Sequence, residues 1–172
     1  MFYTISPVSG QNPVIDSLRY ELRQKNHDTI RAKAYLLLSE QFAAAGNYDS
    51  SLVNMLTSLE LASESGNKPL EATILKHYAG LLKVTGNPAK ALEIYYKVLK
   101  ILDNKSADRD GITQFDKYSE VYVMIGLCYM ELEYYDKALL YYQKSLEACR
   151  EAYKQNKKFP LQQRQLILYN NI

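Results

Sequence analysis

The chain has 172 residues, enough for one globular domain or a short array of repeats. Its 47% hydrophobic and 23% charged content is that of a folded protein, and a formal net charge of +2 argues against a nucleic-acid or other polyanion surface. Five prolines and seven glycines, placed at apparent breaks, favour long helices over a sheet with many turns.

Residues 1–13 carry Pro7, Gly10 and Pro13 and read as an irregular lead-in. The first ten lack the basic start and apolar core of a signal peptide, and no run approaches the roughly 20 apolar residues of a membrane span. The compartment stays open between cytoplasm and, for a segment of a longer exported protein, periplasm. Ile15, Leu18 and Leu22 recur at helical spacing between Asp16 and Arg23, which predicts a short amphipathic capping helix over 14–23. Asn26-His27-Asp28 is a break expected to supply an N-cap side chain.

Two helices follow. The first, 29–45, carries Tyr35, Leu38, Ser39 and Phe42 on one face and stops at Gly46-Asn47. The second, 49–63, carries Ser51, Met55 and Ser58 and stops at Gly66-Asn67. Pro69 opens the next helix, with Leu75, Tyr78, Ala79 and Leu82, and Gly86-Asn87 ends it. Pro88 opens another, with Ala91, Tyr95 and Val98. Residues 103–111, DNKSADRDG, read as a loop.

A helix beginning near 112–118 then carries Tyr122-x2-Ile125-Gly126-x2-Tyr129. After the break at 133–136, Ala138-x3-Tyr142 stands on a helix reaching to about 155. Small residues let two helix backbones approach and large ones fill the space around them. Pro160 opens a last predicted helix holding Tyr169 and Ile172.

Two sets of landmarks agree on register. Ser51, Ala91 and Ala138 lie 40 and then 47 residues apart; Tyr35, Leu75, Tyr122 and Tyr169 lie 40, 47 and 47 apart. The Tyr122–Tyr142 stretch resembles the tetratricopeptide repeat (TPR), whose pattern is W-x2-L-G-x2-Y…A-x3-F with a period of about 34. Tyr122 stands for the Trp and Tyr142 for the Phe, and the spacing here is longer. The resemblance implies an all-α, right-handed superhelical solenoid of antiparallel helix hairpins. Residues 1–28 then form a lead-in and capping helix. The array occupies 29–172, with repeats at about 29–67, 68–105 and 112–157 and a partial fourth at 160–172. The long period, Asp16-Ser17-Leu18 and the run at 59–67, LELASESGN, are similar to a bacterial subset. In that subset such repeats form the N-terminal region of sensor histidine kinases or membrane-linked DNA-binding regulators.

Catalytic chemistry is not legible. No glycines stand at phosphate-loop or dinucleotide spacing, and neither His27 nor His77 has a second ligand at metal spacing. Ser50-Ser51 and Ser63–Ser65 read as packing and capping residues, and Glu131 and Glu133 as a solvated helix end. Cys128 and Cys149 lie about 7 and 14 residues from the same turn, so they differ in height by about 10 Å and read as buried thiols, not a disulfide. No enzyme activity, cofactor or metal is expected. The 16 tyrosines fall largely at helical spacing and read as packing residues.

In the family resembled, the first helix of each repeat lines the concave side. Residues one turn off the packing face are then groove candidates: Lys33, Leu36, Glu40 and Ala43; Thr73, Lys76, Gly80 and Lys83; Glu120, Val123, Leu127 and Met130. The last set is largely apolar, which suits either a bound peptide or packing against a neighbouring helix. TPR domains that grip a chaperone's C-terminal carboxylate carry Lys and Asn at such positions. Leu36, Glu40, Glu120 and Val123 stand there instead, so no acidic-tail clamp is expected. The expected function is a non-enzymatic scaffold binding a protein or peptide in its groove. The alternative is a sensory or dimerising segment of a bacterial signal-transduction protein, homo-oligomeric through its C-terminal end. Neither nucleic-acid binding nor membrane insertion is expected of this segment.

Overall fold

A computed structural model describes residues 13–24, 26–103 and 111–156, with backbone alone for 111–115. The predicted last helix beyond Pro160, and most of the predicted loop, lie outside those residues. The described residues form α1 (Pro13–Arg23), α2 (Asp28–Ala44), α3 (Tyr48–Glu64), α4 (Lys68–Val84), α5 (Pro88–Leu102), α6 (Gly111–Glu131) and α7 (Tyr135–Gln155), without a strand among them. The chain divides into two compact units, Met1–Ser65 and Gly66–Ile172.

In the first unit α2 and α3 form an antiparallel hairpin, and α1 lies on α2. Leu18 of α1 is buried with Ala34 and Leu38, and Ile15, Leu22, Tyr35 and Phe42 pack around them. The amphipathic reading of α1 therefore holds. Where the two hairpin helices touch, Ser39 and Ser51 share a hydrogen bond of 2.9 Å and Ser58 Oγ donates to the Ala32 carbonyl at 2.7 Å, all fully buried. Short polar side chains bring the backbones close while satisfying their own hydroxyls.

One local expectation is corrected. His27 is the N-cap of α2 and makes no side-chain capping bond. The Asn26 side chain donates instead to the Glu21 carbonyl at 2.9 Å, which also accepts from the Gln24 N–H, so it serves the end of α1. Asp28 is engaged by Arg31 at 3.0 Å. The caps at Asn47 and Asn67 do form, accepting from Ser50 N and Leu70 N.

The second unit holds two further hairpins, α4–α5 and α6–α7, with α5 packed against α6. Ala79 and Ala91 are buried at the first hairpin; Ile125, Gly126, Ala138 and Tyr142 are buried at the second. A Cβ on Gly126 would lie 2.5 Å from the Tyr142 ring, so glycine is required by the close approach. One turn further along, Ser145 Oγ donates to the Ser119 carbonyl at 2.9 Å, and Cys149 Sγ lies 2.9 Å from Ser119 Oγ. Cys128 and Cys149 are both buried and unbridged.

The three hairpin turns share one backbone solution. Gly46, Gly86 and Glu133 all have left-handed φ, at 73°, 80° and 62°. In each turn that residue's N–H bonds the carbonyl three back, and the next N–H bonds the carbonyl five back. This double bond is the Schellman arrangement that satisfies the last carbonyls of a helix.

Candidate functional site

The second unit carries a cleft of about 590 Å³ between α4 and α6, with Tyr95 of α5 in its wall. That volume is within the range of roughly 300–1,000 Å³ common to ligand clefts. Lys76, Gly80, Lys83 and Val84 stand on α4 at intervals of four, three and one, a single helical face. Glu120, Val123 and Met124 face them from α6. Two ion pairs tie the helices together: Lys76 to Glu120 at 2.6 Å and Lys83 to Glu131 at 2.9 Å. Both pairs are partly exposed, so each contributes on the order of 0–1 kcal/mol and acts mainly to set rim geometry.

The expected groove residues divide in three ways. Lys76, Lys83, Glu120 and Val123 come together in the cleft, with Gly80 between the two lysines. Thr73, Lys76 and Glu120 border a small adjoining pocket of about 40 Å³ that also touches Lys117. Leu127 is half-buried and packs, with Val123, against Ala138 and Tyr142, while Met130 is exposed at the end of α6. In the first unit Lys33 is exposed, Glu40 is half-buried, and Leu36 is buried at 8% exposure.

Five cleft residues lie outside the groove set read from the sequence: His77, Val84, Tyr95, Ser119 and Met124. The signal for Val84 is its i, i+4 relation to Gly80, hidden by its nearness to the Gly86 stop. Tyr95 reads from sequence as core, and it is core, 1% exposed. Its ring also reaches beneath α4, where a Cβ on Gly80 would stand 3.7 Å from the phenol oxygen. Burial, then the neighbouring Cys128 and Glu131, push this phenol well above the usual tyrosine range, so it keeps its proton.

A second feature of this unit is a run of tyrosines on α5, α6 and α7. The Tyr96 hydroxyl lies 2.9 Å from those of both Tyr129 and Tyr141. Tyr122 stacks with Tyr118, Tyr129 stacks with Tyr141, and Lys144 sits 4.7 Å above the Tyr141 ring. Burial, followed by the two phenol hydrogen bonds, raises the Tyr96 pKa. These contacts join α5 directly to α7 and fit the packing role expected of the tyrosines. Among the described residues, no helix is long and apolar enough to cross a membrane, and no group of three or more His, Cys, Asp or Glu is placed to hold a metal ion.

Family models of the tetratricopeptide repeat match residues 30–104 and 119–158. The TPR domain of Arabidopsis FLU is similar in structure, with a TM-score of 0.60 and 21% identity over 70% of this chain and 95% of that one. The N-terminal domain of stress-induced protein-1 (STI-1) from C. elegans gives a TM-score of 0.58 and 17% identity over 78% and 98%. At such identities the likeness is one of fold. No curated protein sequence matches the chain.

Proposed function

Because this chain belongs to the tetratricopeptide repeat family, we propose that it is a non-enzymatic scaffold whose α4–α6 cleft receives a protein or peptide partner. Domains of this family generally mediate protein–protein interaction. The observation that carries the use of this cleft is its make-up: an apolar lining of Gly80, Val84, Val123 and Met124, edged by ionic side chains. Apolar surface gives affinity and the polar edge gives orientation. On the same reading, residues 1–28 are a lead-in with a capping helix and the repeat array starts at 29. The sensory alternative has the likeness of residues 59–67 in its favour and no structural observation.

Val84 is the cleanest probe, because it lines the cleft and is 60% exposed, so its substitution leaves the core alone. Val123 and Leu127 also pack on Tyr142, and changing them would mix binding with folding. Partners captured by the wild-type chain are expected to bind Val84→Asp at least tenfold more weakly, with an unchanged Tm. Equal binding by the variant would exclude this cleft as the site.

A further inference from the structure

We propose that the outward stripe of α7 is a dimer interface, on which two copies of this chain pair α7 against α7, antiparallel, about Gln143. The inference is independent of the cleft reading, because its surface lies on a different helix.

Repetition within the second unit shows which face of α7 stands open. α5 packs against α6, and the Tyr96 hydroxyl on that side of α5 bonds the Tyr129 hydroxyl. Leu92, one turn back on the same side, is buried at 8% exposure, and Asp103 accepts a hydrogen bond from Tyr118 of α6. The 47-residue offset carries Leu92, Tyr96 and Asp103 to Leu139, Gln143 and Arg150 on α7. There Leu139 is 42% exposed, and Gln143 and Arg150 are exposed as well. The side that α6 covers on α5 is therefore open on α7 among the described residues.

That side is one continuous stripe. At about 100° per residue, Asp136, Leu139, Leu140, Leu146 and Arg150 all point within about 60° of Gln143. Leu140 is 48% exposed and Leu146 half-buried, so apolar surface flanks a polar centre with a charge at each end.

Charge names the occupant and its direction. Asp136 and Arg150 stand at equal distances before and after Gln143, about 10 Å each way, and both are exposed. Neither forms an ion pair with a described residue. A parallel pair would oppose Asp136 to Asp136 and Arg150 to Arg150, which like-charge repulsion disfavours. An antiparallel pair sets each Asp136 against the partner's Arg150 and each Leu139 beside the partner's Leu146. The two Gln143 amides then meet on the axis, where each can donate and accept. Glu147 falls at the rim, in water. The stripe is thus the complement of its own reverse, which selects a second copy over an unrelated protein. Such a contact is isologous and closes at two chains. One helix pair is small for an interface, so micromolar affinity is expected.

The test is sedimentation of the full chain from roughly 10 to 500 µM. A monomer–dimer equilibrium without larger species is expected. Asp136→Arg and Arg150→Asp should each weaken it about tenfold or more, and the two together should restore it to within about threefold. Leu139→Glu should abolish it. These side chains are exposed, so an unchanged Tm is expected and checks the fold of each variant. Mild oxidation should link Gln143→Cys into a covalent dimer, the native thiols being buried. Glu147→Cys should stay unlinked, since its symmetry mate lies about 12 Å away along the helix and a disulfide spans about 7 Å at most between Cα atoms. A strict monomer over this range, including one whose own residues 157–172 cover the stripe, would overturn the proposal. So would a dimer indifferent to the single charge reversals, or one that Glu147→Cys links and Gln143→Cys does not. A dimer lost in Val84→Asp would place the contact at the cleft and overturn the α7 pairing, whereas partner capture by Val84→Asp tests the cleft reading separately.

Discussion

At single residues, close helix contacts in this fold are met by glycine in one hairpin and by hydroxyls in another. Gly126 faces the Tyr142 ring, where even a methyl group would lie 2.5 Å from a ring carbon. Gly126→Leu is expected to cost roughly 1–3 kcal/mol or more through overpacking, visible as a Tm lowered by several degrees. The same approach between α2 and α3 is met by the Ser39–Ser51 hydrogen bond. Ser39→Ala or Ser51→Ala leaves one buried hydroxyl unpaired, at about 1–3 kcal/mol. The double variant is expected to lose clearly less than the sum of the two, which a denaturant double-mutant cycle measures directly. Glu133 offers the converse case. It holds a left-handed φ of 62° in the turn position where the other hairpins have glycine. Glu133→Gly is expected to stabilise the chain by about 1 kcal/mol, read as a higher urea midpoint with an unchanged slope.

At the scale of elements, hairpins are the recurring unit, and each is closed by the same turn. The equivalence of Ser51, Ala91 and Ala138 is legible in sequence because a small residue is needed wherever two helix backbones touch, and all three are buried at 0–1% exposure. Helix ends were legible for a similar reason: Gly46, Gly66 and Gly86 all adopt positive φ. The N-cap of α2 was not legible, because Asn26 serves the end of α1 and a sequence does not say which neighbour a polar side chain will choose. The ion pairs between α4 and α6 were not legible either. Their members are 44 and 48 residues apart, and their meeting depends on how successive hairpins stack.

For the whole molecule, the buried Tyr95 phenol and Cys128 thiol resist ionisation, and this sets its behaviour in alkali. Burial first, then Glu131, pushes the Cys128 thiol from 9.0 up to about 11, against the opposing pull of Lys83. The phenols of Tyr95 and Tyr96 move in the same direction. In each case the unfolded chain releases its proton at lower pH than the folded one. Above pH 9 the unfolded state therefore binds fewer protons, and stability falls as pH rises. Stability is expected to be level with respect to these groups below about pH 8 and to decline from pH 9 to 11, by up to about 1.4 kcal/mol per pH unit for each of the buried Cys128 and Tyr95, and by less for the more exposed Tyr96. Cys128→Ala should shallow that decline, as thermal melts across pH 8–11 would register. Cys128 and Cys149 are also expected to be inert to a thiol reagent until the chain unfolds, with a Tm indifferent to reductant.

Sequence alone determined the all-α class, the hairpin register and the turns, because helical periodicity, small residues at backbone contacts and left-handed glycines are local demands that each segment must meet by itself. Tertiary structure decided which of the exposed faces becomes a cleft. It placed the Tyr95 hydroxyl under Gly80, set Val84 and Met124 beside it, and joined Lys76 to Glu120. Those juxtapositions come from the separation and angle between hairpins, which arise only when side chains far apart in the chain pack together.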